Sequence, residues 1–215
     1  VVQAAMIQHL DATISGSVTG SPVTQWADQS GSGNHAVNDI GNVYYSSSSL
    51  SASGLAGLDF GTGRNTLQLF DATGQDSWLN QSSGSGFCVL VAFKCDALSG
   101  NEWDDVVGNT SAAAVNGWGM RYSGTGVMKA YLNGTSVTGG GMVAAGDTIV
   151  FGCNYDQATG LYEFWDSKSN NTASTTVTAA DFTLATPVKL GRTTNAARYM
   201  NGMVGEVRVF DTVLS

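Results

Sequence analysis

A length of 215 residues suits one all-β domain or two small ones. A chain of this size can form a stable hydrophobic core without a disulfide bond or a bound metal. Its seventeen acidic residues outnumber nine basic ones, and Lys and Arg form no cluster, which excludes nucleic acid as a partner and disfavours anionic membranes and sulfated or uronic polymers. No apolar run approaches the ~18 residues of a membrane span and no segment has the pattern of a signal peptide, so the sequence predicts no membrane insertion.

The opening segment, His9 to Ala36, combines an apolar–polar strand with a turn cluster of Gly, Ser, Asn and Asp. We expect Trp26 to pack under the edge of a sheet. Asp28 and Ser30 are expected to accept backbone N–H bonds within the turn. The permissive backbone angles of this turn are expected at Gly31, Gly33 and Asn34.

Short apolar–polar alternations, separated by glycine-rich turns, predict strands along the rest of the chain. The clearest predicted strands are Phe87–Cys95, Trp118–Tyr122, Val127–Leu132, Thr148–Tyr155, Leu161–Trp165, Val188–Gly191 and Val204–Phe210. No segment sustains a helical period. Strands at this spacing predict an all-β, antiparallel two-sheet sandwich, formed by a single domain over residues 1–215.

Residue types within these segments predict where two strands and one hairpin lie. Phe87–Cys95 is apolar on both alternating faces, which is typical of a central strand covered on both sides. Thr148–Tyr155 places its large apolar side chains on one face, as expected for a strand with a single buried face. Asn133-Gly134 predicts a tight hairpin, because both residues accept positive φ at low cost.

Three cysteines, Cys88, Cys95 and Cys153, cannot all pair within the chain. Cys88 and Cys95 lie at odd separation in one strand, so their side chains point to opposite faces and a bond between them is disfavoured. A Cys95–Cys153 bond between neighbouring strands remains open. The favoured interpretation is that all three are buried free thiols.

The closing segment, Leu190 to Ser215, contains a strand that must be paired in a sheet and completes a pattern begun at the other end. The residues that carry this pattern are Leu10-Asp11-Ala12, Val23, Trp26, Asp28, Ser30, Gly31, Gly33, Asn34, Leu58-Asp59-Phe60, Leu190-Gly191-Arg192, Glu206–Asp211 and Leu214-Ser215. Together they resemble the laminin-G-like branch of the concanavalin A-like lectin/glucanase superfamily. The resemblance implies a jelly-roll sandwich with one concave and one convex sheet, in which the first and last strands lie side by side.

Related glucanases carry two catalytic glutamates on one strand, in the pattern Glu-x-Asp-x-Glu or Glu-x-Asp-x-x-Glu. Here Glu102-Trp103-Asp104 opens that pattern, but Val106 and Val107 occupy the places of the second glutamate. The other glutamates are Glu163, which has the wrong spacing, and Glu206, which we expect to pair with Arg208 or Arg192. Retaining hydrolysis needs two carboxyl groups ~5–5.5 Å apart, so the sequence predicts no glycoside hydrolase activity.

A polysaccharide lyase on the same fold would need a His or Tyr base and cations that neutralise a uronate. The two histidines, His9 and His35, both fall in the opening segment, and arginines are scattered. This is too little for lysis. The sequence therefore predicts a non-catalytic chain, with glycoside hydrolase and polysaccharide lyase as the weaker alternatives.

Calcium is the one cofactor that the sequence leaves open, because related sandwiches often carry Ca²⁺ at a sheet rim. Calcium takes six to eight oxygen ligands, and three loops are rich in oxygen. The candidate ligands in these loops are Asp28, Asn34, Asp104 and Asp156. None of the loops has the spacing of a defined calcium motif, and solvated carboxylates explain each of them.

Sugar binding needs aromatic faces for ring stacking together with planar polar groups. The candidate carbohydrate-binding residues are Trp103, Trp118, Arg121, Tyr122 and Trp165. Trp118, Met120 and Tyr122 share one face of a strand, so core packing competes with a binding role there. Trp103 and Trp78 lie in predicted loops and are expected to be more exposed.

These observations favour a non-catalytic surface-recognition module, such as a lectin or adhesion domain, that binds a glycan or a cell-surface protein outside the cell. The alternative is a virion structural protein, such as a phage capsid decoration or tail-fibre domain, because low charge, abundant Ser, Thr and Gly, and unpaired cysteines also suit a virion. Either role is compatible with a homo-oligomer or with a place in a larger assembly.

Overall fold

The computed structural model describes residues 5–50, 54–71, 74, 78–79, 86–98, 100, 103–110, 116–178, 182, 186–192 and 198–214. Within these residues the chain forms seventeen β-strands and no α-helix. The strands are β1 Met6–Asp11, β2 Val18–Thr19, β3 Gln25–Trp26, β4 Ala36–Ile40, β5 Tyr44–Ser46, β6 Gly57–Asp59, β7 Thr66–Phe70, β8 Gly86–Cys95, β9 Asp104–Gly108, β10 Trp118–Tyr122, β11 Val127–Leu132, β12 Thr135–Met142, β13 Thr148–Asp156, β14 Leu161–Asp166, β15 Asn171–Thr176, β16 Val188–Leu190 and β17 Gly202–Phe210.

The strands form two antiparallel sheets. The first sheet has the order β15-β14-β13-β8-β17-β6-β5, and β1 also pairs with β17. The second sheet has the order β12-β11-β10-β9-β16-β7-β4-β3-β2. The predicted all-β antiparallel sandwich is confirmed, and all seven strands predicted from the sequence are present, with ends that move by no more than two residues. Among the described residues, no helix has the length and apolar character needed to cross a membrane.

The first and last strands lie side by side, as the resemblance implies. Strand β1 pairs antiparallel with β17, so that Leu10 faces Val207 and Asp11 faces Glu206. Strand β17 pairs on its other side with β8, where Val207 faces Val91. Alternation along the strand buries Val207 and Val209 and leaves Glu206 and Arg208 on the outer face.

The opening turn is held by Asp28, also as predicted. Its carboxylate accepts hydrogen bonds from the backbone N–H groups of His9, Ser30 and Asn34 and from the Ser30 hydroxyl. Gly31 and Gly33 have positive φ, whereas Asn34 instead donates its side-chain amide to the Ile7 carbonyl. The loop is therefore a structural brace that fixes the start of β1, and the neighbouring Trp26 is fully buried.

Aromatic side chains join the sheets across the core. The Trp78 ring lies 5.5 Å from both Phe87 of β8 and Trp118 of β10, so it contacts one strand of each sheet. Such pairs contribute ~0.5–1.5 kcal/mol each beyond the burial of their area. The expectation that Trp78 is exposed is wrong, because its side chain anchors a loop in the core at 1% exposure.

All three cysteines are buried free thiols, so the Cys95–Cys153 bond that the sequence left open is not formed. Burial raises the pKa of the Cys88 thiol to about 12 and that of Cys95 to about 11. Burial also raises the pKa of Cys153. Since the thiolate is the reactive form, these cysteines act as small apolar residues.

We expect the folded protein to show negligible reaction with a thiol reagent such as DTNB at pH 7–8, and three equivalents of thiol after unfolding in guanidinium chloride. The physical reason is that burial suppresses both access to the sulfur atoms and formation of the thiolate. Rapid reaction of the folded protein, or fewer than three thiols after unfolding, would contradict this assignment.

Candidate functional site

The outer face of the first sheet carries a polar and aromatic surface across β14, β13 and β8. In β13, Ile149 and Phe151 point into the core, whereas Val150 and Gly152 lie on the outer face. In β14, Tyr162 and Phe164 are buried, and the alternating Glu163 and Trp165 are half-buried on the outer face. The strand period therefore places Trp165 and Glu163 beside the residues of β13 that have small or polar side chains.

Gly152 creates a depression in this face. It pairs with Trp165 on one side and with Leu90 of β8 on the other. A Cβ atom at position 152 would lie 2.4 Å from Leu90 Cδ2 and 2.9 Å from the Val89 carbonyl oxygen, so no side chain fits there. A depression of about 250 Å³ lies here, and its lining includes Trp165, Glu163 and Thr172.

The tail that follows β17 closes one end of this depression. The Asn154 side chain donates to the Leu214 carbonyl at 3.0 Å and accepts from the Leu214 N–H at 3.2 Å. Leu214 therefore lies across β13 as part of the wall. The tail is therefore held against β13 by two hydrogen bonds, one to the oxygen and one to the nitrogen of the Asn154 amide.

A second, smaller depression continues the first across the sheet. It measures about 160 Å³, shares Leu90 with the first, and is lined by Val150, Glu206 and Arg208. From β15 to β17 the combined surface crosses four strand spacings, or about 19 Å. We call these two adjoining depressions the outer groove; it is long enough for several units of an extended ligand.

Charges in the outer groove are nearly balanced. Glu206 accepts from Arg208 Nε at 2.7 Å and lies 2.9 Å from His9 Nε2, so its charge is compensated within the protein. Glu163 is the other carboxylate of the groove. This balance suits an uncharged ligand that presents hydroxyl groups.

The two glutamates of the groove are far apart. Glu163 lies on β14 and Glu206 on β17, three strand spacings or about 14 Å apart across the sheet. Glu206 is also offset from the level of Glu163 by four residues along the strands, or about 13 Å. Glycosidases hold their two carboxyl groups ~5–5.5 Å apart for retention or ~6.5–9.5 Å apart for inversion. These two groups therefore lack the spacing of either mechanism, and Glu102 lies outside the described residues.

The structure buries three of the five predicted sugar-binding residues, which argues against a binding role for them. Trp118 and Tyr122 are 0% exposed and Arg121 is 2% exposed. Trp118 and Tyr122 face the core from β10, where Tyr122 stacks on Phe93 at a centroid distance of 5.8 Å. A ring without an open face cannot stack on a sugar.

Arg121 points to the other side of β10 but is covered there as well. Its Nε lies 3.0 Å from Asp105 Oδ1, and its guanidinium lies 3.8 Å from the centre of the Tyr131 ring. The close approach of Tyr131 requires Gly119, since a Cβ atom there would lie 2.2 Å from the tyrosine hydroxyl. Arg121 is thus part of a buried ion pair.

The remaining two predicted aromatic residues lie on different sheets. Trp165 is half-buried in the wall of the outer groove. Trp103 is also half-buried, and the Lys129 ammonium of β11 in the second sheet lies 3.8 Å from the centre of its ring. Of the predicted binding residues, only Trp165 lines the outer groove. A glycine inside a strand often marks the close approach of a ligand or another group, so Gly152 was a further sequence signal for this surface.

The four predicted calcium ligands do not converge. Both oxygens of Asp28 are occupied by the opening turn, Asp104 is fully buried in β9 of the second sheet, and Asp156 caps the turn after β13 in the first sheet. Among the residues that the structure describes, the only group of three His, Cys, Asp or Glu side chains close enough to share a metal is His9, Asp11 and Glu206. The sequence did not single out this group, because Glu206 meets the other two only through the pairing of β1 with β17.

Neither a protein-family model nor a curated protein sequence matches this chain, so the laminin-G-like assignment is not confirmed. Among solved structures, the chain is similar to domain 4 of AbnA, a GH43 extracellular arabinanase from Geobacillus stearothermophilus, in complex with arabinotriose. The TM-score is 0.68 at 13% identity, and the match covers 99% of this chain and 95% of that domain. It is also similar to Trypanosoma rangeli sialidase in complex with sialic acid, with a TM-score of 0.64 at 13% identity over 98% of this chain but only 31% of the sialidase. These likenesses identify the fold as a sandwich that occurs as a domain of carbohydrate-active proteins.

Replacement of Asp28 by Asn should destabilise the protein by about 1–3 kcal/mol at pH 7, because several N–H groups lose a charged acceptor. Burial alone raises the pKa of Asp28, but the hydrogen bonds from His9, Ser30 and Asn34 outweigh it and hold the pKa below 3.8. The stabilisation is therefore complete above the unfolded-state pKa and is lost as the pH falls through the lower folded-state pKa.

Urea denaturation of the wild type and Asp28→Asn between pH 7 and pH 2 measures this difference. We expect it to shrink in the acid range below about pH 4. Asp156→Asn is the matched control, because solvent replaces its hydrogen bonds in an exposed turn, and it should cost less at pH 7. Equal losses for the two variants would contradict the bracing role of Asp28.

Proposed function

We propose that this chain is a non-catalytic carbohydrate-binding module and that its ligand lies in the outer groove of the first sheet. The observation that supports this most directly is the Trp165 ring beside Gly152. Both residues line an open depression of about 250 Å³. A pyranose or furanose ring has apolar C–H faces that pack against such a ring, and its hydroxyl groups extend sideways to polar partners.

Suitable polar partners flank the ring. The Glu163 carboxylate accepts hydrogen bonds from sugar hydroxyls, and the exposed Thr172 hydroxyl both donates and accepts. At the far end of the groove, Arg208 supplies N–H donors while Glu206 balances its charge. The groove therefore favours a neutral oligosaccharide of several units over a sulfated or uronic polymer, in line with the net charge of −8.

We propose a non-catalytic role because the two carboxylates that line the outer groove, Glu163 and Glu206, are too far apart for a glycosidase, and Asp11, the carboxylate close to Glu206, lines neither depression. Glu163 and Glu206 are about 14 Å apart across the sheet and further offset along the strands, so neither can assist the other across one glycosidic bond. The buried Arg121–Asp105 pair also lies away from solvent and offers no group to a substrate.

The solved structures support this proposal through their fold and their ligands. The similar arabinanase domain is described in complex with arabinotriose, a neutral oligosaccharide, and its parent enzyme is extracellular. We propose by analogy that the present chain acts outside the cell, as an adhesion or substrate-targeting module of the laminin-G-like type.

A second candidate, a structural module of a virion or another assembly, is supported by β5. This strand lies at the end of the first sheet, and its Tyr44 and Tyr45 side chains are 47% and 45% exposed. Exposed edge strands pair readily with other chains. Light scattering that shows an ordered oligomer would favour this role, and a monomer at high concentration would count against it.

The test of carbohydrate binding is Trp165→Ala, screened against neutral oligosaccharides that include arabino-oligosaccharides and followed by calorimetry. We expect at least a tenfold loss of affinity, equivalent to about 1.4 kcal/mol, because the stacking surface is removed. Trp103→Ala is the matched control, since it removes a half-buried tryptophan beside β11 in the second sheet. Loss of binding in Trp103→Ala with full binding in Trp165→Ala would place the ligand on the other sheet and contradict the proposal.

Incubation with any glycan that binds should release no new reducing ends and no unsaturated products, because binding occurs without an acid–base pair at the scissile bond. Reducing-sugar and ultraviolet assays over several hours measure this. If turnover occurs and disappears in Glu163→Gln, the chain is an enzyme and the non-catalytic proposal is wrong.

A further inference from the structure

Strands β1 and β17 bring three metal-ligating side chains together near the outer groove. His9 and Asp11 lie two residues apart on the outer face of β1. Asp11 faces Glu206 across the ladder, and His9 faces Arg208. The pairing of the two chain ends therefore builds the group from residues that are almost two hundred positions apart in sequence.

The spacing of these side chains is close to that of a tetrahedral metal site. His9 Nε2 lies 2.9 Å from Glu206 Oε1, and one ligand atom from each of the three residues lies within 4.8 Å of the others. Two ligand atoms that are each ~2.0–2.1 Å from a tetrahedral Zn²⁺ are separated by about 3.3 Å. Small rotations of side chains would suffice to admit the ion.

We propose that His9, Asp11 and Glu206 form a binding site for Zn²⁺, with a fourth position left to water. One imidazole nitrogen and two carboxylate oxygens match the ligand preference of zinc, and three protein ligands plus water is a known zinc arrangement. Calcium takes six to eight oxygen ligands, and magnesium takes near-octahedral oxygen, so this set discriminates against both.

Neighbouring groups fix two of the ligands in place. The His9 N–H donates to Asp28 Oδ1 at 2.8 Å, which anchors that end of β1 to the opening turn. Asp11 Oδ1 accepts from the Thr13 N–H and hydroxyl at 2.8 and 2.6 Å, so its other oxygen faces no competing donor from that turn. Ordered ligands lose less conformational freedom when the ion binds.

Arg208 is the charged group that competes with the ion. Its Nε lies 2.7 Å from Glu206 Oε1, the same oxygen that contacts His9. A bound cation must share or displace this contact. Removal of the Arg208 charge should therefore strengthen zinc binding. If Arg208 had only a structural role, its removal would leave the zinc affinity unchanged or lower it.

Calorimetric titration of the full, untagged chain with ZnCl₂ tests the proposal without any glycan, so its outcome is independent of the carbohydrate proposal. We expect one saturable site in the wild type, and no corresponding heat with CaCl₂. Loss of residues that only support metal ligands typically costs ~10–100-fold in affinity, so His9→Ala and Glu206→Gln should each lose at least tenfold. Arg208→Gln should bind about two- to fivefold more tightly, as expected when an exposed ion pair worth up to ~1 kcal/mol no longer competes.

His35→Gln is the matched control, because it removes the other imidazole of the chain, which is exposed in the opening turn, and leaves a polar side chain where His35 Nδ1 accepts from the Asp28 N–H at 2.9 Å. Circular dichroism of each variant verifies that the sandwich is intact. Zinc binding that persists in His9→Ala, that is lost in His35→Gln, or that is absent from the wild type would overturn the proposal.

Discussion

The antiparallel pairing of β17 with β1 and β8 is the constraint on which the rest of the structure depends. It places the last strand beside both the first strand and a central one, so the ends of the chain are held within the first sheet. Because side chains alternate along a strand, this register also decides which residues enter the core. A slip of one residue would bury Glu206 and Arg208 and expose Val207 and Val209, at a prohibitive cost in desolvated charge.

The same register assembles the proposed ligand-binding surface. In the outer groove, Gly152 lies between Trp165 and Leu90 on neighbouring strands. The proposed zinc ligands come together because Asp11 faces Glu206 across the pairing of β1 with β17. Most residues of both arrangements lie on paired strands, and the tail after β17 adds Leu214 to the groove wall. The strand residues are held by sheet hydrogen bonds and should be as rigid as the core beneath them.

Local patterns were enough to predict the fold. Alternation identified the strands, Asn133-Gly134 marked the hairpin between β11 and β12 with positive φ at both residues, and the opening turn formed around Asp28 as its composition indicated. Each of these features depends on residues close together in sequence. The lack of sustained helical period likewise sufficed to predict an all-β chain.

The proposed ligand-binding surface could be predicted only in part, because exposure depends on contacts between distant segments. Periodicity shows that Trp118 and Arg121 lie on opposite faces of β10, but it does not show that Asp105 and Tyr131 cover the outer one. For the same reason Trp78 was expected in solvent although Phe87 and Trp118 enclose it. Trp165 was identified by its residue type, whereas the depression beside it required knowledge of which strands flank β13.

The most direct test of the central claim, that a glycan lies against Trp165 in the outer groove, uses the five tryptophan indole N–H signals in a ¹H–¹⁵N NMR titration. With a neutral oligosaccharide that binds, the account predicts a large, saturable shift of the Trp165 signal. The signals of Trp26, Trp78 and Trp118 should stay in place, because these rings are buried in the core. A saturable shift of Trp103 with no change at Trp165 would contradict the account.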